Sequence, residues 1–206
     1  MNNYIVFGIG FLAQALFSAR LVVQWLLSEK ARKVVSPTSY WQISIFASYL
    51  LFVYGWLRDD FAIILGQYIS YYIYIWNLNT KNHWKELPAF IRLVLLLTPV
   101  LVIIYLLLTW DINGPRLFRN ANIPLGLLIF GSMGQIIFTF RFIYQWFYSR
   151  HKGESVFPVT FWVLSLLGSA IIVSYGIYRS DPVLILGQSA GFIAYIRNLF
   201  ILRKNK

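Results

Sequence analysis

The sequence predicts an all-α integral membrane protein. We expect seven transmembrane helices, arranged as two parallel three-helix repeats that are joined by a linker helix. Three observations support this fold class: the composition, seven long apolar segments and an internal repeat. Of the 206 residues, 59% are hydrophobic and only 12% are charged, whereas a soluble domain carries about 25% charged residues to cover its surface. A water-soluble globular enzyme is therefore excluded.

Seven apolar segments remain when the chain is divided at its charged residues and prolines. They run over roughly 4–27, 38–57, 61–78, 91–110, 123–148, 158–178 and 182–202. Segments of about 20 apolar residues are long enough to cross a bilayer. We therefore predict seven spans, which place the two chain termini on opposite sides of the membrane.

The net charge of +11 has two explanations. A basic chain can bind nucleic acid, but in a membrane protein the excess of Lys and Arg sits in short loops and sets the topology. Basic residues are concentrated after the first, third and fifth spans and at the C-terminal end, whereas the other side carries only Arg58, Arg116, Arg119 and Arg179. We therefore predict an inner-membrane protein with its N-terminus outside, its C-terminus in the cytoplasm and no nucleic-acid partner.

The chain also repeats itself, without a gap, at an offset of 121 residues. Apolar composition alone would match Leu and Ile, but here rare residue types recur, which indicates a true repeat. The recurring pairs include Arg20 and Arg141, Gln24 and Gln145, Trp41 and Trp162, Gln67 and Gln188, and Asn77 and Asn198.

An odd number of helices in each repeat requires one extra crossing if both repeats are to have the same orientation. The fourth segment supplies it and carries none of the repeated polar residues, so we interpret it as an inert linker. The predicted domains are residues 1–80, 81–121 and 122–206, in a 3+1+3 arrangement of parallel repeats. The alternative is a duplication that serves structure alone.

Polar residues recur every three or four positions in several spans, which places them on one face of each helix. Because lipid cannot solvate these groups, the faces should turn inward and converge on one polar interior. The candidate substrate-binding residues are Arg20, Gln24, Arg141, Gln145, Gln14, Gln135, Trp41, Trp162, Gln67, Gln188, Asn77 and Asn198.

Arg20 and Arg141 are the most informative of these residues. Each lies about seven residues from the cytoplasmic end of its predicted span, roughly 10 Å deep, and every acidic residue lies in or beside a loop. In one interpretation the arginines reach the interface or cap backbone carbonyls. In the other, two guanidinium groups bind an anionic substrate, above all a phosphate, which they can hold with paired hydrogen bonds.

Other motifs have structural explanations. Asp60 and Asp181 are expected to cap helices, and Arg58 and Arg179 to end the preceding ones, where the helix dipole favours a cation. The chain has no Cys, and its two His residues, His83 and His151, lie in loops. We therefore predict no metal site, no cofactor and no enzymatic activity.

The motifs of the second repeat resemble the lipid A biosynthesis N-terminal domain family. They are Gln135-(x5)-Arg141-(x3)-Gln145-Trp146, Pro158-(x3)-Trp162, Arg179-(x)-Asp181-Pro182 and Gly187-Gln188…Tyr195-(x)-Arg197-Asn198. The first repeat resembles a more diverged copy that departs from the second at Ala47, Phe61 and Trp76. This family is similar in architecture to the SWEET and SemiSWEET (PQ-loop-like) sugar carriers. The resemblance implies a link to lipid A disaccharide synthesis and to glycosyltransferases that use polyprenyl-phosphate sugars.

Two hypotheses follow. In the first, the chain is a transporter or flippase of an anionic lipid-linked sugar, such as a polyprenyl-phosphate sugar, and a SWEET-like carrier of small sugars is a variant of it. Arg20 and Arg141 would bind the phosphate, Gln24 and Gln145 would orient it, and the Trp and Asn pairs would line the sugar path. In the second, the chain is a membrane module that docks a glycosyltransferase or presents its lipid substrate. A monomer is possible, because the two repeats are fused.

Overall fold

A computed structural model describes residues 3–58, 61–112 and 124–204, which form helices joined by turns. A short helical stretch over 110–112 leads into residues outside the described ranges. The all-α prediction is confirmed. The long helices are Asn3–Ala31 (α1), Thr38–Leu57 (α2), Phe61–Thr80 (α3), Ala89–Leu108 (α4), Leu125–Lys152 (α5), Val159–Tyr178 (α6) and Pro182–Lys204 (α7).

The helix bounds follow the predicted segments, except that α1 and α5 continue for one more turn. Both were predicted to stop before charged residues, but these are good helix formers, and a basic last turn interacts favourably with the helix dipole. Gly153, whose φ of 72° is left-handed, follows the last residue of α5. Arg20 and Arg141 therefore lie about eleven residues, or roughly 16 Å, from the ends of their helices.

Within the described residues, four helices are long and apolar enough to cross a membrane, namely Tyr4–Ala31, Ala89–Leu108, Val159–Tyr178 and Pro182–Lys204. The chain is accordingly a multi-pass membrane protein. α2, α3 and α5 have 20 residues or more, but their buried polar side chains, such as Ser48, Gln67 and Gln145, lower their hydropathy. For these three helices the predicted crossing stays a prediction.

Six of the helices form a closed ring. Within each repeat, consecutive helices pack together, α1 on α2 on α3 and α5 on α6 on α7. Between the repeats, α1 packs on α7 and α3 packs on α5. At the repeat offset of 121 residues, α1 corresponds to α5 and α3 corresponds to α7. The two contacts between the repeats are therefore equivalent, and the packing has the same twofold pattern as the sequence.

α4 lies outside this ring, against the first repeat. The hydroxyl groups of Tyr71 and Tyr72 donate hydrogen bonds to the carbonyl oxygens of Leu95 and Leu96, at 2.9 and 3.2 Å. Most of the α4 side chains are exposed. The segment that we interpreted as an inert linker therefore packs against the first repeat, where it contacts α3.

The turn before α7 has the predicted capping residues. Asp181 Oδ1 accepts hydrogen bonds from the backbone N–H groups of Val183 and Leu184, at 3.0 and 3.2 Å. Pro182 begins the helix, and Arg179 follows the last residue of α6. In the second repeat, the Arg-x-Asp motif is thus a capping element, as predicted.

Some predictions fall on residues that the structure does not describe. Among them is the start of the second repeat, which we placed between residues 121 and 122. The others are the predicted helix cap of the first repeat, at Asp60, and three of the basic residues used for the topology, at Arg116, Arg119 and Lys206.

Candidate functional site

A cavity of about 50 Å³ lies between α1, α3, α5 and α7. It has room for a few water molecules and is too small for a sugar. Tyr74 and Tyr195 line it together with six of the predicted site residues. These six form three pairs related by the repeat: Arg20 and Arg141, Gln14 and Gln135, and Gln67 and Gln188.

Arg20 enters the cavity from α1 with only 3% of its surface exposed. Its guanidinium donates a hydrogen bond to the hydroxyl of Ser44 on α2. The guanidinium carbon lies 4.3 Å from the ring centroid of Phe17 and 4.7 Å from that of Tyr40. Aromatic rings at such distances attract a cation through their quadrupole.

Arg141 has the same surroundings in the second repeat, with 2% of its surface exposed. Its guanidinium donates to the hydroxyls of Ser165 and Tyr195, at 3.1 and 3.3 Å. The guanidinium carbon lies 3.4 Å from the ring centroid of Phe138 and 5.4 Å from that of Phe161.

Neither arginine is neutralised by an acidic residue within the described ranges. No acidic side chain lines the cavity there, and Glu29 instead pairs with Arg197 at the ends of α1 and α7. Nε of each cavity arginine is buried and has no hydrogen-bond partner in the described structure. Each guanidinium therefore has at least one buried donor without a partner.

Phe142 lies beside both cations. Its ring centroid is 5.6 Å from the guanidinium carbon of Arg20 and 4.6 Å from that of Arg141. These distances put the two guanidinium carbons no more than about 10 Å apart, where like charges repel by at least about 1.7 kcal/mol at an effective dielectric constant of about 20. A single anionic group between them would remove this repulsion.

The cavity glutamines cross from one repeat to the other. A Cβ atom on Gly187 would lie 2.4 Å from Cδ of Gln14, and one on Gly66 would lie 2.7 Å from Nε2 of Gln135. A larger residue at either position would require the glutamine side chain to move. The glycine of each Gly-Gln motif therefore packs against a glutamine of the other repeat.

Gln67 and Gln188, the second residues of the two Gly-Gln motifs, are fixed within their own repeats. Ser48 donates a hydrogen bond to Oε1 of Gln67, and Ser169 donates to Oε1 of Gln188, both at 2.9 Å. Both amides therefore have fixed positions at the edge of the cavity.

Four other predicted site residues lie outside the cavity and join the repeats. Gln24 Nε2 donates to Asn198 Oδ1 at 2.9 Å, and Asn198 Nδ2 donates back to Gln24 Oε1 at 3.0 Å. Gln145 and Asn77 make the same double hydrogen bond, at 3.0 and 3.1 Å. All four side chains are fully buried. The structure thus places them in two amide pairs between the repeats, outside the cavity that the arginines line.

Trp41 and Trp162 also lie outside the cavity. Their rings pack 5.3 and 5.4 Å from Phe157, and Trp41 Nε1 donates a hydrogen bond to Ser36. Behind the cavity, their rings lie 5.9 Å from Tyr74 and 6.1 Å from Tyr195. They support cavity side chains from the core, and the predicted lining of a sugar path by these two residues stays a prediction.

Several residues of the site were missing from the sequence-based set. Ser44 and Ser165 hold the guanidinium groups, and Tyr74 and Tyr195 line the cavity. The signal for all four was present, because they recur at the same offset as the arginines. Phe142 had no such signal, because the equivalent position in the first repeat is Leu21.

The family model described as Lipid A Biosynthesis N-terminal domain matches the chain twice, at residues 9–79 and 130–200. Together the two matches cover more than half of the chain and include every described residue that lines the cavity. α4 lies between them. No solved structure matches the chain.

Curated relatives carry the name lipid-A-disaccharide synthase. The protein of Chlamydia pneumoniae is 31% identical over 211 residues, which cover 98% of this chain and 34% of the relative. Those of Chlamydia felis and of Chlamydia trachomatis serovar D are 29% and 30% identical, over 98% and 95% of this chain. The chain spans about a third of the length of the curated relatives that it matches.

Proposed function

The chain belongs to the Lipid A Biosynthesis N-terminal domain family, in two tandem copies, and from this premise we propose that it moves an anionic lipid-linked sugar across the inner membrane. The cargo that fits best is a polyprenyl-phosphate sugar used for lipid A or envelope glycolipid modification. The observation that carries this proposal is the pair of buried arginines at one cavity, each with an unpartnered Nε donor.

The free energy of burial supports an anionic ligand. A guanidinium in the middle of a membrane-spanning helix is unfavourable by about 2.5–3.5 kcal/mol on translocon scales. Hydroxyl groups and aromatic rings offset part of this, but they leave a net positive charge. A phosphate between Arg20 and Arg141 would satisfy the free donors and neutralise that charge. A neutral sugar needs no cation, so a SWEET-like carrier of small sugars fits the cavity less well.

For the architecture, we propose that all seven long helices cross the membrane as two parallel repeats around an axis along its normal, with α4 as the added crossing. The N-terminus would lie outside and the C-terminus in the cytoplasm. The closed ring of six helices supports this arrangement.

Movement of a ligand requires the ring to open, because the cavity is too small for a sugar. The pairs Gln24–Asn198 and Gln145–Asn77 are polar contacts between the repeats. We propose that they separate on the cytoplasmic side when the repeats rock apart. Alternating access would then result because the two interfaces between the repeats open one after the other.

A second candidate function is a non-transporting module that docks a glycosyltransferase or presents its lipid substrate. It is favoured by the relatives, which are about three times as long and are named as synthases. In either case we propose that this chain is not itself an enzyme. The polar groups that line its described cavity belong to Arg, Gln, Tyr, Ser and Thr, none of which is a carboxylate or an imidazole for proton transfer.

A flipping assay in liposomes distinguishes the two candidates. The purified protein is reconstituted with a fluorescent polyprenyl-phosphate sugar, and a membrane-impermeant reductant reports the fraction in the outer leaflet. We expect the wild type to exceed empty liposomes at least about tenfold in rate, and Arg20→Gln/Arg141→Gln to fall to the empty rate. Arg203→Gln, which removes an exposed arginine, should behave as the wild type.

A wild-type protein that moves the lipid no faster than empty liposomes would contradict transport. If the same preparation retained a glycosyltransferase of polyprenyl-phosphate sugars, and the double variant retained it equally, the module would be the better description.

A further inference from the structure

A second and larger cavity, of about 380 Å³, lies between α2, α3 and α4. We call it the α4 crevice. Its walls are predominantly aromatic and aliphatic. They include Phe52, Trp56, Tyr68, Tyr71, Val102 and Tyr105.

A specific interaction holds α4 in place as the outer wall of this crevice. Pro99 lies inside α4 and has no N–H group, so it cannot donate to the carbonyl of Leu95 four residues earlier. The hydroxyl of Tyr71, on α3, donates to that same carbonyl at 2.9 Å. Further along, the rings of Trp56 and Tyr105 lie 6.0 Å apart. The crevice lies between these two attachments.

The inner end of the α4 crevice is polar and meets the arginine cavity. Gln67 lines both cavities, and Ser48, its hydrogen-bond donor, lines the crevice. An apolar site and a cationic site thus adjoin each other, with the amide of Gln67 in the wall of both. This combination fits one molecule with a hydrocarbon chain and an anionic end.

We propose that the α4 crevice holds the hydrocarbon chain of the same anionic lipid whose phosphate binds Arg20 and Arg141. The inference rests on the proposed function and adds the path of the lipid chain to it. Charge complementarity selects this occupant, because the crevice leads to two cations that have no acidic partner in the described structure. A neutral membrane lipid has no anionic group that could bind the two arginines.

The site is built on one repeat only. The pair Ser169–Gln188 repeats the pair Ser48–Gln67 at the same distance of 2.9 Å. α4, however, has no counterpart in the described part of the second repeat. The lipid chain therefore leaves the arginine cavity through the first repeat, and α4 has a role in binding in addition to its predicted role as a linker.

Filling the crevice tests this inference. Val102→Trp should obstruct it, and Leu101→Trp is the matched control, because Leu101 is the adjacent residue of α4 and is 59% exposed. We would measure the affinity of the purified proteins for a polyprenyl phosphate and for a short isoprenyl phosphate with the same head group. Val102→Trp should weaken binding of the long-chain lipid about tenfold or more and change that of the short one less than about twofold. Leu101→Trp should change neither.

The two probes separate the possible failures. If the wild type binds the short phosphate but Val102→Trp binds the long lipid as well as the wild type does, the chain lies elsewhere and only this inference is wrong. If the wild type binds neither phosphate, both this inference and the proposed function are wrong.

Photocrosslinking provides a second measurement, which remains informative if Val102→Trp does not fold. A benzophenone amino acid is placed at Phe52, in the crevice, or at Phe46, which lies on the same helix and is 60% exposed. A radiolabelled polyprenyl phosphate should crosslink at position 52, be displaced by unlabelled lipid and be lost in Arg20→Gln/Arg141→Gln. Equal crosslinking at both positions without displacement would identify bulk lipid in the crevice and overturn the inference.

Discussion

Arg20 and Arg141 lie among hydroxyl groups and aromatic rings that come mainly from neighbouring helices. The sequence indicated that both are buried and unmatched by acids, because a basic residue inside an apolar repeat is recognisable without a structure. It could not indicate Phe142, which lies beside both cations, because that contact depends on how the two repeats pack. The distances from its ring are what place the two charges at one cavity.

For the amide residues, the structure shows partners that the sequence did not indicate, and their predicted role in ligand binding stays a prediction. Gln24 and Gln145 follow the arginines by one helical turn, and this spacing suggested that they act on the same ligand. The structure shows that each is fully buried and makes a double hydrogen bond to an asparagine of the other repeat. Helical spacing gives the face of a side chain but not its partner across an interface.

A double-mutant cycle tests the amide pairs. Gln24→Ala and Asn198→Ala should couple by about 0.6–1.7 kcal/mol in the free energy of unfolding, the range for hydrogen bonds between helices in membranes. Gln24→Ala and Asn77→Ala should be additive, because these two residues belong to different pairs. The measurement is reversible unfolding in detergent. Additivity in the first cycle would show that the Gln24–Asn198 contact does not stabilise the interface.

At the scale of the helices, the sequence predicted most of the bounds, because charged residues and prolines flank the apolar segments. The ends of α1 and α5 were placed one turn too early, since a charged residue can leave the membrane without leaving the helix. The position of α4 against the first repeat could not be predicted. It depends on the bond between Tyr71 and the carbonyl that Pro99 leaves without a helical donor, and these residues are far apart in the sequence.

The contact of α7 with α1 depends on a glycine, which gives a prediction for that element. Gly187→Ala would place a Cβ atom 2.4 Å from Cδ of Gln14. The free energy of unfolding should therefore fall by about 1–3 kcal/mol, as in other overpacked cores. Gly8→Ala is the matched control, since a Cβ there meets nothing within 4 Å. It should have no effect or stabilise α1 by up to about 1 kcal/mol.

Unfolding of the two alanine variants in detergent checks this prediction. If Gly187→Ala were as harmless as Gly8→Ala, Gln14 would be free to move, and its contact with the other repeat would not fix the cavity wall.

For the whole molecule, the repeat at an offset of 121 residues predicted two equivalent three-helix units, and the family model matches both. The sequence alone could not show which helices meet between the units. The structure answers this with the contacts α1–α7 and α3–α5, which close the ring. The closure brings one arginine from each repeat to the same cavity, and the proposed function follows from that arrangement.

The most direct test of this central claim is ligand-dependent thermal stability. A ligand that binds the folded state raises the melting temperature, so a polyprenyl phosphate and the uncharged polyprenol of the same length can be compared on purified protein in detergent. We predict that the phosphate raises the melting temperature of the wild type, that the alcohol does not, and that Arg20→Gln/Arg141→Gln removes the response. Equal shifts with both lipids, or an unchanged response to the phosphate in the double variant, would contradict an anion site at the two arginines.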